Sequence, residues 1–589
     1  MTRTWIVCVI ALVACNSGKE DGETDVVPLD SDSDTVTVDS ETADGDTGTV
    51  PDPQATLELP TGPIACAEPE LRADAWYTRR AAPTASSTDT ILPYDPWVWG
   101  SGIVAADFDG DGWTDIFASN ESTPNFYRNE AGILADMSEK LAAFDLSLST
   151  GGAAADYDGD GDQDLMVTRY LRANVLLRND GAGEFTDVTA GAGVAGAEDR
   201  RSMSAAWADY DGDDDLDLYI GNYGFIDESL DSSEFLPAEP DYLYVNNGDG
   251  TFTDRSDIIP AAAQDGYTYT ASWIDLNDDL KPEMYIVNDF GVSYPNTVLW
   301  NDGDGTLSME QSPSGLNGQF TGMGLDVADL NTDGLPDLVV PVWAGIVYLE
   351  STTSGFWIES QDVRQLNGDL SKDQKVSWGG NFGDMDNDGD TDLAMQYGYV
   401  VVGDGGQWPN PLRQPDALFI QGTDGKFEDQ SFEHGFNDNG VTRGAVVTDL
   451  NRDGFVDVVK RDLGGPVING LNIAYMSNCD DAAWLNIGLK RNWGMNRDAI
   501  GAKIVLVSND LATCPAGTAL DDGRCQWTGW VQAGGISLGS SEPPSLHFGL
   551  ATLDRIDKIE VSWPDGRVSV FRDVDTRQFV TIAQDAPTL

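Results

Sequence analysis

One nine-residue phrase recurs seven times along this chain, written most fully as Asp156-Tyr157-Asp158-Gly159-Asp160-Gly161-Asp162-Gln163-Asp164. Its copies start at Asp107, Asp156, Asp209, Asp275, Asp329, Asp384 and Asp449, each entered through small residues and most followed by an apolar run such as Leu165-Met166-Val167. In such a loop the acids at positions 1, 3 and 5 can converge, a glycine at 6 permits a positive φ, position 7 offers its carbonyl, and an acid at 9 closes an oxygen shell. That donor set suits a hard cation, calcium above all. The loops supply no histidine or cysteine of the kind zinc or copper would select. Without an ion, carboxylates ~4 Å apart repel by up to ~4 kcal/mol per pair at an effective dielectric of about 20. An Asp/Gly hairpin turn uses similar residues, but a turn has no need of acids at 1, 3, 5 and 9 in copy after copy.

The expected ligand sets follow in chain order. They are Asp107, Asp109, Asp111 and Asp115; Asp156, Asp158, Asp160 and Asp164; Asp209, Asp211, Asp213 and Asp217; Asp275, Asn277, Asp279 and Glu283. Then come Asp329, Asn331, Asp333 and Asp337; Asp384, Asp386, Asp388 and Asp392; Asp449, Asn451, Asp453 and Asp457. Asn331 and Asn451 lower the charge while keeping an oxygen, and Asp214 stands where the third loop should have glycine. The fourth loop departs most, with Leu280 at the glycine position and Pro282 beside Glu283. Up to seven calcium ions are expected, the one at Asp275 being the weakest.

The first aspartates are 49, 53, 66, 54, 55 and 65 residues apart. That is the length four short strands and their turns require, as in a propeller blade. A second hairpin recurs inside the period, at Leu176–Phe185, Leu243–Phe252, Val298–Leu307 and Leu418–Phe427, with Asn/Asp-Gly turns. So much Gly, Asn and Asp excludes a helical repeat. The expected fold class is therefore all-β, a seven-bladed β-propeller with calcium-binding loops plus a smaller C-terminal β-rich domain. Gly151-Gly152-Ala153-Ala154 and Gly379-Gly380 suit inner strands crowded about an axis. Two longer periods place their excess in Tyr223–Tyr242 and Val401–Ala417, read as loops suited to binding.

These loops resemble the FG-GAP or VCBS repeats of integrin-type propellers, over residues 63–480. The resemblance implies calcium loops on one face of a disc and ligand contacts from the other. Beyond them, Asn496–Ala502, Leu546–Leu550 and Val561–Gly566 resemble the ASPIC/UnbV domain over residues 484–585, as in the cartilage acidic protein family. Strands are expected at Ile504–Val507, Ile559–Trp563 and Phe579–Ile582, with a turn at Pro564-Asp565-Gly566.

The N-terminus reads as an export signal, with Arg3 before the short apolar run Ile6–Ala14. Leu12-Val13-Ala14-Cys15 resembles a bacterial lipobox, which implies cleavage within residues 1–15, lipidation of Cys15 and an anchor at the outer membrane or cell surface. Residues 16–62 are acidic, with few large apolar side chains, and are expected to form a disordered tether. Cys514 and Cys525 flank a short polar loop and are expected to pair. Cys66 and Cys479 bracket the repeats, so a bridge there would join the two ends.

A formal charge of -67 over 589 residues argues against nucleic acid or an anionic membrane surface as partner. The ligand positions hold 25 of the 100 acids, so the acidity belongs to the whole surface. Gly535-Ile536-Ser537-Leu538-Gly539 matches the nucleophile-elbow pattern, yet Gly-Ser-Ser-Glu-Pro-Pro follows it and will not begin a helix. His547 is expected to pack in a core and His434 to lie in a polar loop. No enzyme is expected; the alternatives are a calcium-dependent polysaccharide-active enzyme, lyase or hydrolase, on the propeller scaffold, since some calcium-bearing propellers are polysaccharide lyases, or a purely structural envelope protein. The expected role is an exported binding or adhesion module for an extracellular protein or glycan, with the membrane met through the lipid anchor alone.

Overall fold

The computed structural model describes residues 50–51, 55–58, 77–81, 102–224, 238–264, 266–309, 314–343, 345–353, 355–366, 375–398, 414–465, 468–509, 520 and 523–587. Cys15, Cys66, Cys514 and most of the two long insertions fall outside them. Strands dominate, and among the described residues no helix is long and apolar enough to cross a membrane.

Among the described residues seven sheets share one plan, four antiparallel strands, in six of them a simple meander. The second shows it well. Ser149–Ala155 runs into an Asp loop, Asp164–Arg169 returns, Val175–Asn179 pairs beyond it, and Phe185–Asp187 forms the outer edge. First strands of neighbouring sheets lie side by side, and Thr442–Thr448 of the seventh sheet lies against Ile103–Ala106 of the first, so the set curls back on itself. The seventh sheet is a composite. Its outer strand is Tyr77–Ala81, from ahead of the first repeat, paired antiparallel with Ile468–Ser477. Backbone hydrogen bonding between the two ends of the repeat region thereby clasps them together.

Small residues in the first strands let the sheets converge, and large apolar side chains fill the wedges between sheets. Tyr157 and Trp207, for instance, stack from neighbouring sheets with centroids 6.0 Å apart.

The C-terminal region forms two further sheets, built on Lys503–Ser508, Cys525–Trp530, Arg555–Ser562 and Arg567–Asp575 in one, and Trp484–Arg491, Ser545–Gly549 and Gln578–Gln584 in the other. Each gains a strand from the acidic N-terminal segment. Val50–Pro51 pairs parallel with Arg567–Val568, and Thr56–Glu58 pairs antiparallel with the strand ending at Gln584. This corrects the expectation that the tether is disordered throughout residues 16–62. Ala55 is buried and Leu57 packs on the same core, so a few apolar side chains at open sheet edges order the last part of the tether. That core is shared: Ile504, Leu506 and Ile559 join Trp207, Leu218 and Ile220 of the third sheet in one cluster.

Candidate metal centres and a plugged axis

In all seven loops the backbone wraps the first aspartate in the same way. The position-6 N–H donates to its Oδ2 at 2.8–3.0 Å, from Gly112, Gly161, Asp214, Leu280, Gly334, Gly389 and Gly454 in turn. Position 4 as well as position 6 is left-handed, from Gly110 and Gly112 (φ 70° and 87°) to Arg452 and Gly454 (φ 55° and 87°). The sequence pattern pointed to the second of these turns and missed the first. Leu280 takes the same conformation at φ 63°, so the divergent fourth loop keeps the shape of the others, with side-chain strain in place of a glycine.

The acid at position 9 ties the loop to its sheet. Asp164 accepts N–H bonds from Tyr157 at 3.2 Å and Asn179 at 2.8 Å, and Asp115, Asp217, Asp392 and Asp457 are held alike. Asn179 does more. Its Nδ2 donates to Phe108 O of the preceding loop at 2.7 Å, as Asn129 does to Leu450 O, Asn246 to Tyr157 O and Asn301 to Tyr210 O. Those asparagines read as turn residues in the sequence; three-dimensionally they are clamps between adjacent sheets.

Four loops bring three carboxylates within 4.8 Å of one another: Asp107, Asp109 and Asp115; Asp156, Asp158 and Asp164; Asp209, Asp211 and Asp217; Asp384, Asp386 and Asp392. Asp158, Asp211 and Asp329 each keep a buried Oδ1 with no hydrogen-bond partner. Burial raises these acids, helped by their neighbours: Asp115, Asp156 and Asp209 to about 7 and Asp164 to about 9, with Asp217, Asp384 and Asp457 well above their ordinary value. Converging, partly unpartnered oxygens that resist ionisation in isolation fit a hard divalent cation, which would restore the charged form.

The copies are not equivalent. The Arg128 guanidinium bridges Asp109 at 2.5 Å and Asp111 at 3.0 Å, so an ion in the first loop must compete with it. Lys281 stands 3.7 Å from Asp279 in the fourth. In the fifth, Asn331 Nδ2 is spent on Ser351 O at 2.6 Å, leaving its carbonyl for the loop. Beside the second loop the C-terminal region adds a carboxylate, Asp498, bonded to Gln163 at 2.6 Å.

The C-terminal region lies over this same face. Arg497 donates to Gly159 O at 2.6 Å, Lys503 to Asp278 and Gly334 O at 2.8 Å each, and Trp527 Nε1 to Gly389 O at 2.9 Å. His547 Nε2 meets Asn387 Oδ1 at 2.7 Å and its ring stacks on Trp484. Asp214, which replaces glycine in the third loop, pairs with the buried Arg491 and accepts Met495 N–H at 3.2 Å. His434 bonds Gln430 at 2.9 Å.

From this cap a segment descends into the axis. Ala533–Gly534 pairs with the first strand of the third sheet, and Ser537 and Leu325 bridge to the fifth. Gly539 O accepts from Gly152 N–H at 3.1 Å, Ser541 exchanges bonds with Ala105 and Ile103, Thr270 Oγ1 donates to Ser537 O, and Glu542 accepts Val447 N–H and Asn381 Nδ2. A Cβ on Gly102, Gly151 or Gly379 would lie 1.8, 2.3 and 2.4 Å from Gly539 O, Gly539 O and Ser537 Oγ. The crowding read from the small residues is thus contact with a plug as well as sheet against sheet. The elbow-like Gly535–Gly539 is that plug, and Ser537 is fully buried within it. Toward the opposite face the axis is closed by Met203, Tyr269, Met323 and Trp378 packed on Leu538, with Arg443 over the Trp378 ring at 3.9 Å.

Cys479 and Cys525 are both disulfide-bonded. Their expected partners, Cys66 and Cys514, lie outside the described residues.

Comparison with known proteins agrees with this architecture. The FG-GAP-like repeat family matches residues 107–167, 156–220 and 275–340, and the ASPIC and UnbV family matches residues 492–588. Cartilage acidic protein 1 of Mus musculus is 24% identical over 404 residues, covering 68% of this chain and 56% of that protein. The Homo sapiens protein is 23% identical over 403 residues, covering 68% and 55%. The match thus spans about half the length of these relatives. Among solved structures, an Agrocybe aegerita lectin that recognises non-reducing terminal N-acetylglucosamine matches at 16% identity and a TM-score of 0.36, over 64% of this chain and 92% of that one, a likeness too slight to carry an argument. The chain combines FG-GAP-like repeats with an ASPIC/UnbV domain and is distantly similar to cartilage acidic protein 1.

Proposed function

We propose that this chain is an exported, calcium-stabilised, seven-bladed β-propeller that works as a binding or adhesion module at a cell surface, held there through Cys15. The observation that carries the reading is the contrast between its two faces. On one, the acidic loops keep a single geometry with oxygens left unpartnered and lie beneath the C-terminal domain; on the other and around the rim, the blades are free of that cap. Calcium would be held by the aspartates at positions 1, 3, 5 and 9 with the position-7 carbonyl, supplying charge neutralisation and stiffening each blade. At a calcium level ten times a site's dissociation constant, each site adds ~1.4 kcal/mol, so several together rival the stability of a whole domain.

Among the described residues the axis is filled, by residues 533–542 from one end and by aromatic side chains from the other. This supports binding over turnover, and a partner of extracellular protein or glycan chemistry over nucleic acid, given the charge of -67. The test is an array of glycans and surface proteins probed with the full chain, with and without chelator, beside an elemental analysis of the folded protein. Calcium-dependent capture of one ligand class supports the reading. Turnover of a polysaccharide, or folded protein containing no calcium, overturns it.

A further inference from the structure

The sixth loop differs from the others at two places. Position 7 is occupied by Trp113, Asp162, Asp215, Lys281, Leu335 and Phe455 in the remaining loops; the aspartates among these are only half-buried, whereas Asp390 of the sixth loop is buried at 5% exposure. At the end of the third strand, where four sheets place the clamping asparagine, it has Gln421, at 3% exposure. One methylene longer, Gln421 does not reach back to the preceding loop. Its amide lies beside the Asp390 carboxylate, with that of Asp388 nearby. Asp390 Oδ1 and Gln421 Oε1 are left buried with no hydrogen-bond partner.

A buried amide oxygen turned away from every donor is a poor choice for packing and a good one for a cation. These oxygens are separate from the trio Asp384, Asp386 and Asp392 that converges on the loop's centre. Asp390 and Gln421 also border a cavity of about 200 Å³ between the loops and the C-terminal domain, with Trp527, Phe548 and His547 on its far wall. Such a space holds an ion together with several waters.

We propose that the sixth loop takes a second divalent cation beside the first, bound by Asp390 and Gln421 Oε1, bridged by Asp388, and completed by water in this cavity. It rests on the reading of the loops as calcium sites. With three protein ligands where calcium favours six to eight oxygens, this ion binds more weakly than its neighbour and exchanges with the medium. It lies next to Gly389, whose carbonyl accepts from Trp527, so its occupancy bears on the join between propeller and cap.

Native mass spectrometry of the full chain titrated with calcium counts the ions. Gln421→Asn, which installs the residue of four other sheets without touching the loop, is expected to lose one ion from the saturated count, as is Asp390→Asn. Terbium titration supplies a second reading: the weakest phase of Trp-sensitised emission in the wild type is expected to disappear in both variants and in Trp527→Phe. A full ion count in both variants, with the loops loaded, overturns the second site and leaves the calcium reading standing. A wild type that carries no ion overturns both.

Discussion

Ser537 and Leu325 exchange both of their backbone hydrogen bonds, Ser537 N–H to Leu325 O at 2.6 Å and Leu325 N–H to Ser537 O at 3.0 Å, although 212 positions of sequence separate them. The first strand of each four-stranded sheet is an edge whose inward N–H and C=O groups have no neighbouring strand. The segment from Ala533 to Glu542 satisfies many of them at once, by backbone, by the Ser540 and Ser537 hydroxyls, and by the Glu542 carboxylate.

Substitutions along that seam should be felt by the whole molecule. Gly102→Ala places a methyl 1.8 Å from Gly539 O, backbone that cannot swing aside, and is expected to lower stability by about 2–3 kcal/mol. Gly488→Ala, where nothing lies within 4 Å of the new Cβ, should stay within about 0.5 kcal/mol. Urea denaturation followed by tryptophan fluorescence checks both.

Chelated protein should have an inverted dependence on pH. Burial raises Asp115, Asp156 and Asp209 to about 7 in the folded state, whereas unfolded they ionise near ~4. Between those values the native state binds protons that the unfolded chain has released, so stability is greatest at the acid end and falls as pH rises toward about 7. In EDTA the melting temperature is expected to decline from about pH 5 to pH 8, and on the proposed reading saturating calcium, by binding the ionised carboxylates, should abolish the decline. Calorimetry in the two buffers across that range decides it.

His547 gives the opposite sign. Burial pushes its imidazole down to about 4, against about 6.5 unfolded, so its contribution is complete above the unfolded value and is lost as pH falls toward about 4. With calcium present, wild-type stability should drop across that window, and His547→Gln, which retains a donor for Asn387, should flatten the drop. Denaturation midpoints at pH 7 and pH 4.5 measure the difference.

The third loop's departure from glycine should matter to docking. Arg491 is 1% exposed and pairs with Asp214, with Asp565 3.7 Å away and Gln584 Oε1 at 3.1 Å as further partners, so Asp214→Asn, which still tolerates the left-handed turn, is expected to destabilise by about 1–3 kcal/mol. A double-mutant cycle with Arg491→Gln should show a coupling of at least about 1 kcal/mol.

Much of this architecture was legible because it is periodic. The Asp loops, the strands that follow them, the second hairpins and the strands around Ile504, Ile559 and Phe579 announce themselves by alternation and turn chemistry, and the structure has them where they were expected. What stayed hidden is what acts across the chain through backbone atoms. Gly535-Ile536-Ser537-Leu538-Gly539 carries no period, and its partners are main-chain groups that any residue possesses. The Asn129, Asn179, Asn246 and Asn301 clamps were masked by their double use as turn residues. The strands at Val50–Pro51 and Thr56–Glu58 were hidden by the acidic composition around them, where a few apolar side chains, Ala55 and Leu57 among them, sufficed.

The plug also dictates a timetable. Residues 533–542 follow every repeat in the sequence, yet they touch first strands from one end of the ring to the other. Every sheet assembled earlier must wait with its inner edge open, so maturation is a single late snap and not a sequence of finished pieces. A chain stopped short of Ala533 would therefore be complete in its repeats and unsealed at its hub.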